Sequence, residues 1–531
     1  STGLFLGGNK KLSASNGNIN LTGNSQTGVG LYLGENNSTN TLNATNGSIS
    51  LNGVSETQSA IEIRGTNTLT ADNINLTGNS NSNSKNGTGI DVRGSNTLNA
   101  TNGSISLTGN STNGMGLKLN GTNTLNASTG SINMNGASVE YSGIDFTGNN
   151  TLTASSINLT GSSTNGTGTS LTGNSSWDAT SITITGSSSH DAQNIPATWM
   201  GKGVHLIGDL TFTGNVAING TAVAGAGVGL GAKVNLTFNN GTAVINGTSN
   251  RFPPDYDPVY SAGIADIVYI GEDSTKNITL INSDLTIDGH SQNSPGIGGW
   301  SEAGIETKWN ISGNGNVTLN ASSVESDGFK NVFINASGLN GTTTLHGTST
   351  NGSGVNLHSI TMTNVTISGS ATGNGSGVDI SGDSTLINTT VNGNGVNGSG
   401  VDISGNLSNS GNSTVTGNAS GNGNGVNISG NITDGVISGS ATGNGSGVDI
   451  SGDSTLINTT VNGNGVNGSG VSISGNLSNT GNSTVTGNAS GNGNGVNISG
   501  NITGGVISGH AVNGNGVEYT GPSTLTNATV S

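Results

Sequence analysis

Residues 377–406 read "GVDISGDSTLINTTVNGNGVNGSGVDISGN", a stretch without Lys, Arg, His, Cys or any aromatic residue. Nearly the same words return seventy residues later: segments 367–436 and 437–506 differ only at Asp402/Ser472, Ser410/Thr480 and Asp434/Gly504. Inside each segment a smaller unit recurs. The word Gly-Val-x-Ile-Ser begins at Gly377, Gly400, Gly425, Gly447, Gly470 and Gly495, in steps of 23, 25, 22, 23 and 25 residues. One unit carries Val378 and Ile380, then Leu386, then Val391; the next carries Val401 and Ile403, then Leu407, then Val415. Alternating β-branched residues bounded by "GN", "NG" and "SG" are the mark of short strands and tight turns. Three strands and three turns in about 23 residues make one coil of a parallel β-helix, an all-β solenoid, with Gly and Asn suited to corners that need φ > 0.

The N-terminal third repeats the pattern with longer turns. "GLYL" at Gly30, "AIEI" at Ala60, "GIDV" at Gly89, "GLKL" at Gly116 and "GIDF" at Gly143 read as one strand. Leu42, Leu69, Leu98, Leu125 and Leu152, in "NTLNA" or "NTLTA", mark a second; Ile49, Ile74, Ile105, Ile132 and Ile157 mark a third. Coils therefore run to about 23–30 residues, and three regions follow: 1–186 with long coils, 187–340 with irregular insertions, and 341–531 with the near-identical repeats.

This arrangement accounts for the composition. Of 531 residues only 29% are hydrophobic and 3% aromatic, while Gly supplies 94; an ordinary globular domain is about 45–50% apolar. Such a chain cannot build a broad core, and the alternative is low-complexity disorder. The regular spacing argues for order instead. Coils about 4.8 Å apart place each inward Val, Ile or Leu above its counterpart, so a thin core suffices and about twenty coils make a rod on the order of 100 Å. Open strand edges at the ends of such a rod favour stacking on a neighbour.

Net charge is −16, and residues 341–531 hold no Lys or Arg. A nucleic-acid partner needs an electropositive surface, and no apolar run approaches the roughly 20 residues that cross a bilayer. The opening "STGLFLGGNKKL" has neither a signal-peptide shape nor a starting Met, as expected of a mature form or a fragment. With no Cys there is no disulfide framework.

The rhythm breaks between residues 187 and 340. "SSSHDAQNIPATWMGKGVH", "NRFPPDYDPVYSAGIADIVYIG" and "DGHSQNSPGIGGWSEAGIETKWN" contain Pro196, Pro253, Pro254, Pro258 and Pro295, and all four Trp (Trp177, Trp199, Trp300 and Trp309) lie in or beside this region. Solenoid insertions project from one face and carry function. Rings beside Arg suit carbohydrate or protein recognition, so Trp199, Arg251, Phe252, Tyr256, Tyr260 and Trp300 form the candidate binding patch. The competing reading packs these rings between insertion and rod.

No catalytic set is evident. Asp91, Asp145, Asp379, Asp402 and Asp449 occupy one equivalent outward position that elsewhere holds Tyr32, Glu62, Lys118, His205, Asn356, Asn427, Ser472 or Asn497. A catalytic pair needs fixed partners at a set separation, so this column reads as a solvent-facing ladder. Asp379 and Asp402 are the place where adjacent coils could share a Ca²⁺; otherwise no cofactor is expected. His190 and His290 sit near Asp191 and Asp288 without a nucleophile to complete a set. The "GNGNG" words lack the Lys and the following helix of a phosphate loop. The chain reads as a non-enzyme.

Asn-x-Ser/Thr sequons are abundant, among them Asn43, Asn75, Asn99, Asn364, Asn388, Asn406, Asn412, Asn418, Asn431, Asn476 and Asn501. On a solenoid they would offer glycan acceptors on coil after coil. "NTLNATNGSISLTGNST" and its relatives, over residues 4–187 and 345–531, resemble bacterial exoproteins of the filamentous haemagglutinin and high-molecular-weight adhesin type, including the glycosylated adhesins of enterotoxigenic bacteria. The resemblance lies in repeat style, composition and sequon density; the N-terminal secretion domain of that family is not visible. It implies a right-handed β-helix, two-partner secretion through an outer-membrane β-barrel transporter, a secreted or cell-surface location, hexoses on Asn, and a host glycan or protein receptor. The leading functional expectation is an adhesin rod displaying binding loops. The alternatives are a fibre or surface-layer unit stacking end to end, and the stalk of a contact-dependent toxin-delivery protein.

Overall fold

The computed structural model describes residues 1–190, 201–250, 262–266, 274–299, 301–302, 305–521 and 523–531. It divides into two compact units, Ser1–Asp288 with Gly313–Gly315, and Gly289–Ser312 with Asn316–Ser531. Among the described residues there is no helix. Each unit is a right-handed parallel β-helix, as the repeat spacing predicts. In the first unit the second and third strands of a coil run on across a bulged corner, as in Thr39–Ser55, where the register shifts between Ala44 and Ser48. In the second unit all three strands are short, as in Val401–Ile403, Leu407–Ser410 and Thr414–Ala419.

Register makes the core. Leu31, Ile61, Ile90, Leu117 and Ile144 pair in succession along the first strand. Leu42, Leu69, Leu98, Leu125 and Leu152 do so along the second, and Ile49, Ile74, Ile105, Ile132 and Ile157 along the third. In the second unit Val378 pairs with Val401, Val401 with Val426, and Val426 with Val448, each 0% exposed. The backbone of one coil bonds to the next: Val378 N donates to Gly400 O at 2.9 Å and Val401 N to Gly425 O at 3.0 Å. Each Val or Ile so enclosed is worth about 1.5–3 kcal/mol.

The interior also holds polar side chains. Asn40, Asn67, Asn96, Asn123 and Asn150, from the "NTL" words, are all 2% exposed or less. Each Nδ2 donates to the Oδ1 of the next coil, at 2.9, 2.8, 2.9 and 2.9 Å. An amide can donate and accept at once, so a file of them is self-satisfying where a single one would be costly. The file ends where Asn150 meets Ser175 in register, and there the Asn150 Nδ2 has no partner.

The second strand of the repeats departs from the expected stacking of Leu386 on Leu407. Leu386 pairs with Asn409 and Leu407 with Ser384, a slide of two residues. Asn409 is thereby buried, and its Nδ2 donates to Asp434 O at 3.1 Å; Asn479 does the same to Gly504 O at 3.4 Å. Asp434 and Gly504 both lie at positive φ, 56° and 72°, so their interchange between repeats keeps the corner. Glycine is also required by close approach: a methyl group on Gly393 would lie 2.0 Å from the Gly400 carbonyl oxygen.

Two of the four tryptophans belong to the core. Trp177 and Trp309 are both 0% exposed. Trp177 follows Leu152 in register and is followed by Phe212 and Phe238, with ring centroids 5.4 Å (Trp177–Phe212) and 5.8 Å (Phe212–Phe238) apart. Phe146 packs against Trp177 at 5.6 Å.

Breaking the amide file should be felt strongly. Asn96→Ala strands the Oδ1 of Asn123 and leaves the Asn67 Nδ2 only its bond to Arg64 O, at about 1–3 kcal/mol for the buried acceptor left unpaired. Chemical denaturation should show this loss, whereas Thr97→Ala, on the outward side of the same strand, should sit within about 0.5 kcal/mol of the parent.

Candidate functional site

The corner after the third strand organises the surface of the first unit. Ser55, Ser80, Ser111, Ser138, Ser163 and Ser188 stack in register at this corner. Ser138 Oγ donates to Gly114 O of the preceding coil at 2.6 Å and accepts the N–H of Tyr141 at 2.9 Å. Ser163 Oγ likewise donates to Tyr141 O at 2.6 Å and accepts the Gly166 N–H at 2.7 Å. Each serine closes a tight turn and ties it to its neighbour. The second unit uses the device at Ser349, bonded to Ser326 O at 2.6 Å and to the Gly352 N–H at 2.8 Å.

The device stops where insertions begin. Ser188 and Ser249 stand in this file, one on each side of Ala222 in register, and the Oγ of each is buried without a partner. Ser188 and Ser249, which precede residues 191–200 and 251–261 in the sequence, thus stand at one corner of the solenoid, two coils apart. Of the expected patch, Trp199, Arg251, Phe252, Tyr256, Tyr260 and Trp300 all lie outside the described residues.

Beside the serine file runs a groove of about 790 Å³, lined by Asn79, Thr112, Val139, Thr164, Ser189 and Asn250 among others. A second depression of about 980 Å³ adjoins it, shares Thr164 and Ser189, and adds Lys85, Glu140, Tyr141 and His190. Val139 and Tyr141 are each 40% exposed. Asn165 bridges the wall, its Nδ2 donating to Glu140 Oε1 at 3.0 Å, while His190 Nδ1 lies 3.5 Å from Asn165 Oδ1. The groove's residues occupy equivalent positions after the third strand of successive coils, but the side chains there vary from coil to coil, so the repeat gives no sign of a groove.

The acidic column is in register as expected, but in the first unit its carboxylates are buried rather than solvent-facing, while Asp379, Asp402 and Asp449 in the second unit are only half-buried. Asp91 is 1% exposed, with Glu62 and Asp145 at 7%. In the first unit arginines two residues on fold back over the column: Arg64 meets Glu62 at 2.8 Å, and Arg93 forks onto Asp91. Burial raises the Asp145 carboxyl, against the pull of Lys118 and a bond from Ser170. In the second unit Lys330, Asn356, Asp379, Asp402, Asn427 and Asp449 follow one another in register. Burial, then Asp402 and then Asp327 push Asp379 up to about 6. Burial also raises Asp402 and Asp449, countered by bonds to Asn427 and to Ser472 and Asn424 respectively. Asp379 and Asp402 are thus neighbours of the kind a Ca²⁺ could bridge. Among the described residues no three His, Asp or Glu side chains gather to hold a metal ion. His290 Nδ1 lies 2.6 Å from Ser322 Oγ.

The sequons divide by exposure. Asn75, Asn364, Asn388, Asn406, Asn412, Asn418, Asn431, Asn476 and Asn501 are exposed, whereas Asn43 and Asn99 are half-buried. Asn364 and Asn388 sit at corners with φ of 57° and 48°. Asn431 Nδ2 donates to Asn406 Oδ1 at 2.8 Å, and Asn501 Nδ2 to Asn476 Oδ1 at 2.9 Å, so acceptor asparagines adjoin on successive coils.

No family model matches the chain, and a search of curated proteins returns no match.

The stacked carboxylates have a consequence for stability. Asp379 holds its proton more tightly folded than unfolded, so its contribution is full below about 4 and is lost as pH rises through about 6. Melting temperature should therefore fall from pH 4 to pH 7 more steeply in the parent than in Asp379→Asn; parallel curves would remove Asp379 as the cause.

Proposed function

We propose that this chain is part of a secreted or surface-held bacterial adhesin of the two-partner type, a β-helical scaffold that presents receptor-binding loops and carries hexoses on its exposed sequons. The observation that carries this reading is that Ser188 and Ser249, each buried with an unpartnered Oγ, share one corner of the solenoid and directly precede the insertions in the sequence. A plain spacer would keep the five-residue spacing of Ser163 to Gly168 in every coil, whereas Ser188 to Gly203 spans fifteen residues and Ser249 to Gly263 fourteen. In this reading Trp199, Arg251, Phe252, Tyr256, Tyr260 and Trp300 meet a host glycan or protein, and the scaffold performs no chemical step. The chain would leave the cell unfolded through an outer-membrane β-barrel and wind up outside, a route compatible with the absence of Cys. Sugars on Asn406, Asn431, Asn476 and Asn501 would hydrate one edge and keep neighbouring solenoids apart.

Host-cell binding by purified protein tests the display role. Trp199→Ala and Trp300→Ala should each weaken it about tenfold, equivalent to about 1.4 kcal/mol; unchanged binding in both would remove the patch. Intact mass of the protein made in its own cell should show a ladder of hexose steps. A single unmodified mass would contradict the glycosylated form while leaving the binding test standing.

A further inference from the structure

The groove beside the serine file and the depression that adjoins it form a site in their own right, separate from the insertion patch. The central feature of the depression is Tyr141. The Tyr141 backbone is clamped on both sides, its N–H given to Ser138 Oγ at 2.9 Å and its carbonyl accepting from Ser163 Oγ at 2.6 Å. The ring is nevertheless 40% exposed. The equivalent turn positions on the coils before and after are Gly114 and Gly166, each bonded to its own ladder serine. Neither can grow a side chain: a methyl group on Gly114 would lie 2.4 Å from Gly87 O, and one on Gly166 would lie 2.5 Å from Tyr141 backbone atoms. A rigidly placed aromatic ring thus stands between two positions that present no side chain to cover it. Val139, also 40% exposed, extends the apolar strip into the groove beside the serine file.

The rest of the lining is short, polar and nearly neutral. Thr112, Thr164 and Ser189 bring hydroxyl groups to one column of the wall, with Val139 on the coil between Thr112 and Thr164, and Lys85 and Glu140 offset one another in charge. His190, 7% exposed, has its Nε2 without a partner at the groove end nearest the first insertion. Hydroxyl groups spaced one or two coils apart, each coil about 4.8 Å, beside an uncovered ring do not suit an anion, which would need more cationic charge, nor a hydrophobic peptide, which would need an apolar floor. They suit a ligand that is itself a linear repeat of hydroxyl-bearing rings.

We infer that the groove running past Tyr141 and Thr164 binds a neutral, linear oligosaccharide lying across successive coils, one sugar face stacked on the Tyr141 ring and the hydroxyl groups met by the threonine and serine rungs. This deepens the adhesion reading and rests on it for biological meaning, while adding a ligand class and a location apart from the Trp199 patch. The rungs are fixed by the fold, so little ordering is needed on binding.

The test is glycan binding in solution by the full chain, using linear gluco-, galacto- and mannooligosaccharides with a sialylated set as the charged comparison. The parent should bind a neutral member. Tyr141→Ala should lose at least about tenfold, equivalent to 1.4 kcal/mol, and Thr164→Val should weaken binding less, while Tyr141→Phe keeps it. Unaltered melting temperature in Tyr141→Ala would show that the clamp and fold survive. Neutral-glycan binding that is indifferent to Tyr141→Ala overturns the groove. Binding of sialylated members alone, or of no glycan by a parent that still binds host cells, also overturns it, and in those cases the adhesion reading stands. Loss of cell binding with intact glycan binding would instead sink adhesion and leave the groove.

Discussion

A parallel coil can satisfy its backbone N–H and C=O groups only through the coil before it and the coil after it. That single requirement governs the rest of the structure. It holds successive strands at one spacing and in one register, so whatever points inward in one coil faces the same kind of group in the next. Val378, Val401 and Val426 are stacked because Val378 N and Val401 N must bond to Gly400 O and Gly425 O. A chain with only 29% hydrophobic residues can then be ordered, since the dry interior need be only one side chain deep.

The same requirement decides which polar residues the interior tolerates. A buried amide is acceptable where its neighbours in the file are amides too, as from Asn40 to Asn150. Serine is acceptable at the corner because its hydroxyl both donates to the preceding coil and accepts from its own turn. Asn150 Nδ2 stands orphaned as the core turns aromatic at Trp177, and the hydroxyls of Ser188 and Ser249 stand orphaned just before the insertions in the sequence. Corners, not strands, are thus where this fold has freedom to vary, and Tyr141 occupies one of them.

Much of the fold was readable beforehand because period and register are the same information in a solenoid. Leu42, Leu69 and Leu98 recur in sequence and therefore stack in space. What could not be read depends on side-chain direction. Asn40 and Asn409 look like turn residues, since Asn favours corners; only alternation along their strands turns them inward. Asp91 and Asp145 look solvated until Arg93, folding back, and the flanking coils cover them. The repeat word around Leu386 and Leu407 conceals a two-residue offset: Ser384 and Leu407 each lie four residues after the paired Ile380 and Ile403, so Leu386, two residues further along its strand, falls opposite Asn409. Of the candidate site, the anchoring corner emerged only in three dimensions, and so did the groove, whose residues share a file but no sequence word.

Disulfide trapping across adjacent coils tests the stacking register most directly, in a chain that brings no Cys of its own. Thr97 and Thr124 are partners in register, at a separation near 4.8 Å that a disulfide can span. The double variant Thr97→Cys/Thr124→Cys should oxidise completely to an intramolecular bond, and Thr97→Cys/Thr122→Cys, displaced by two residues, should not. Equal closure of both pairs, or of neither, would contradict the stacked solenoid.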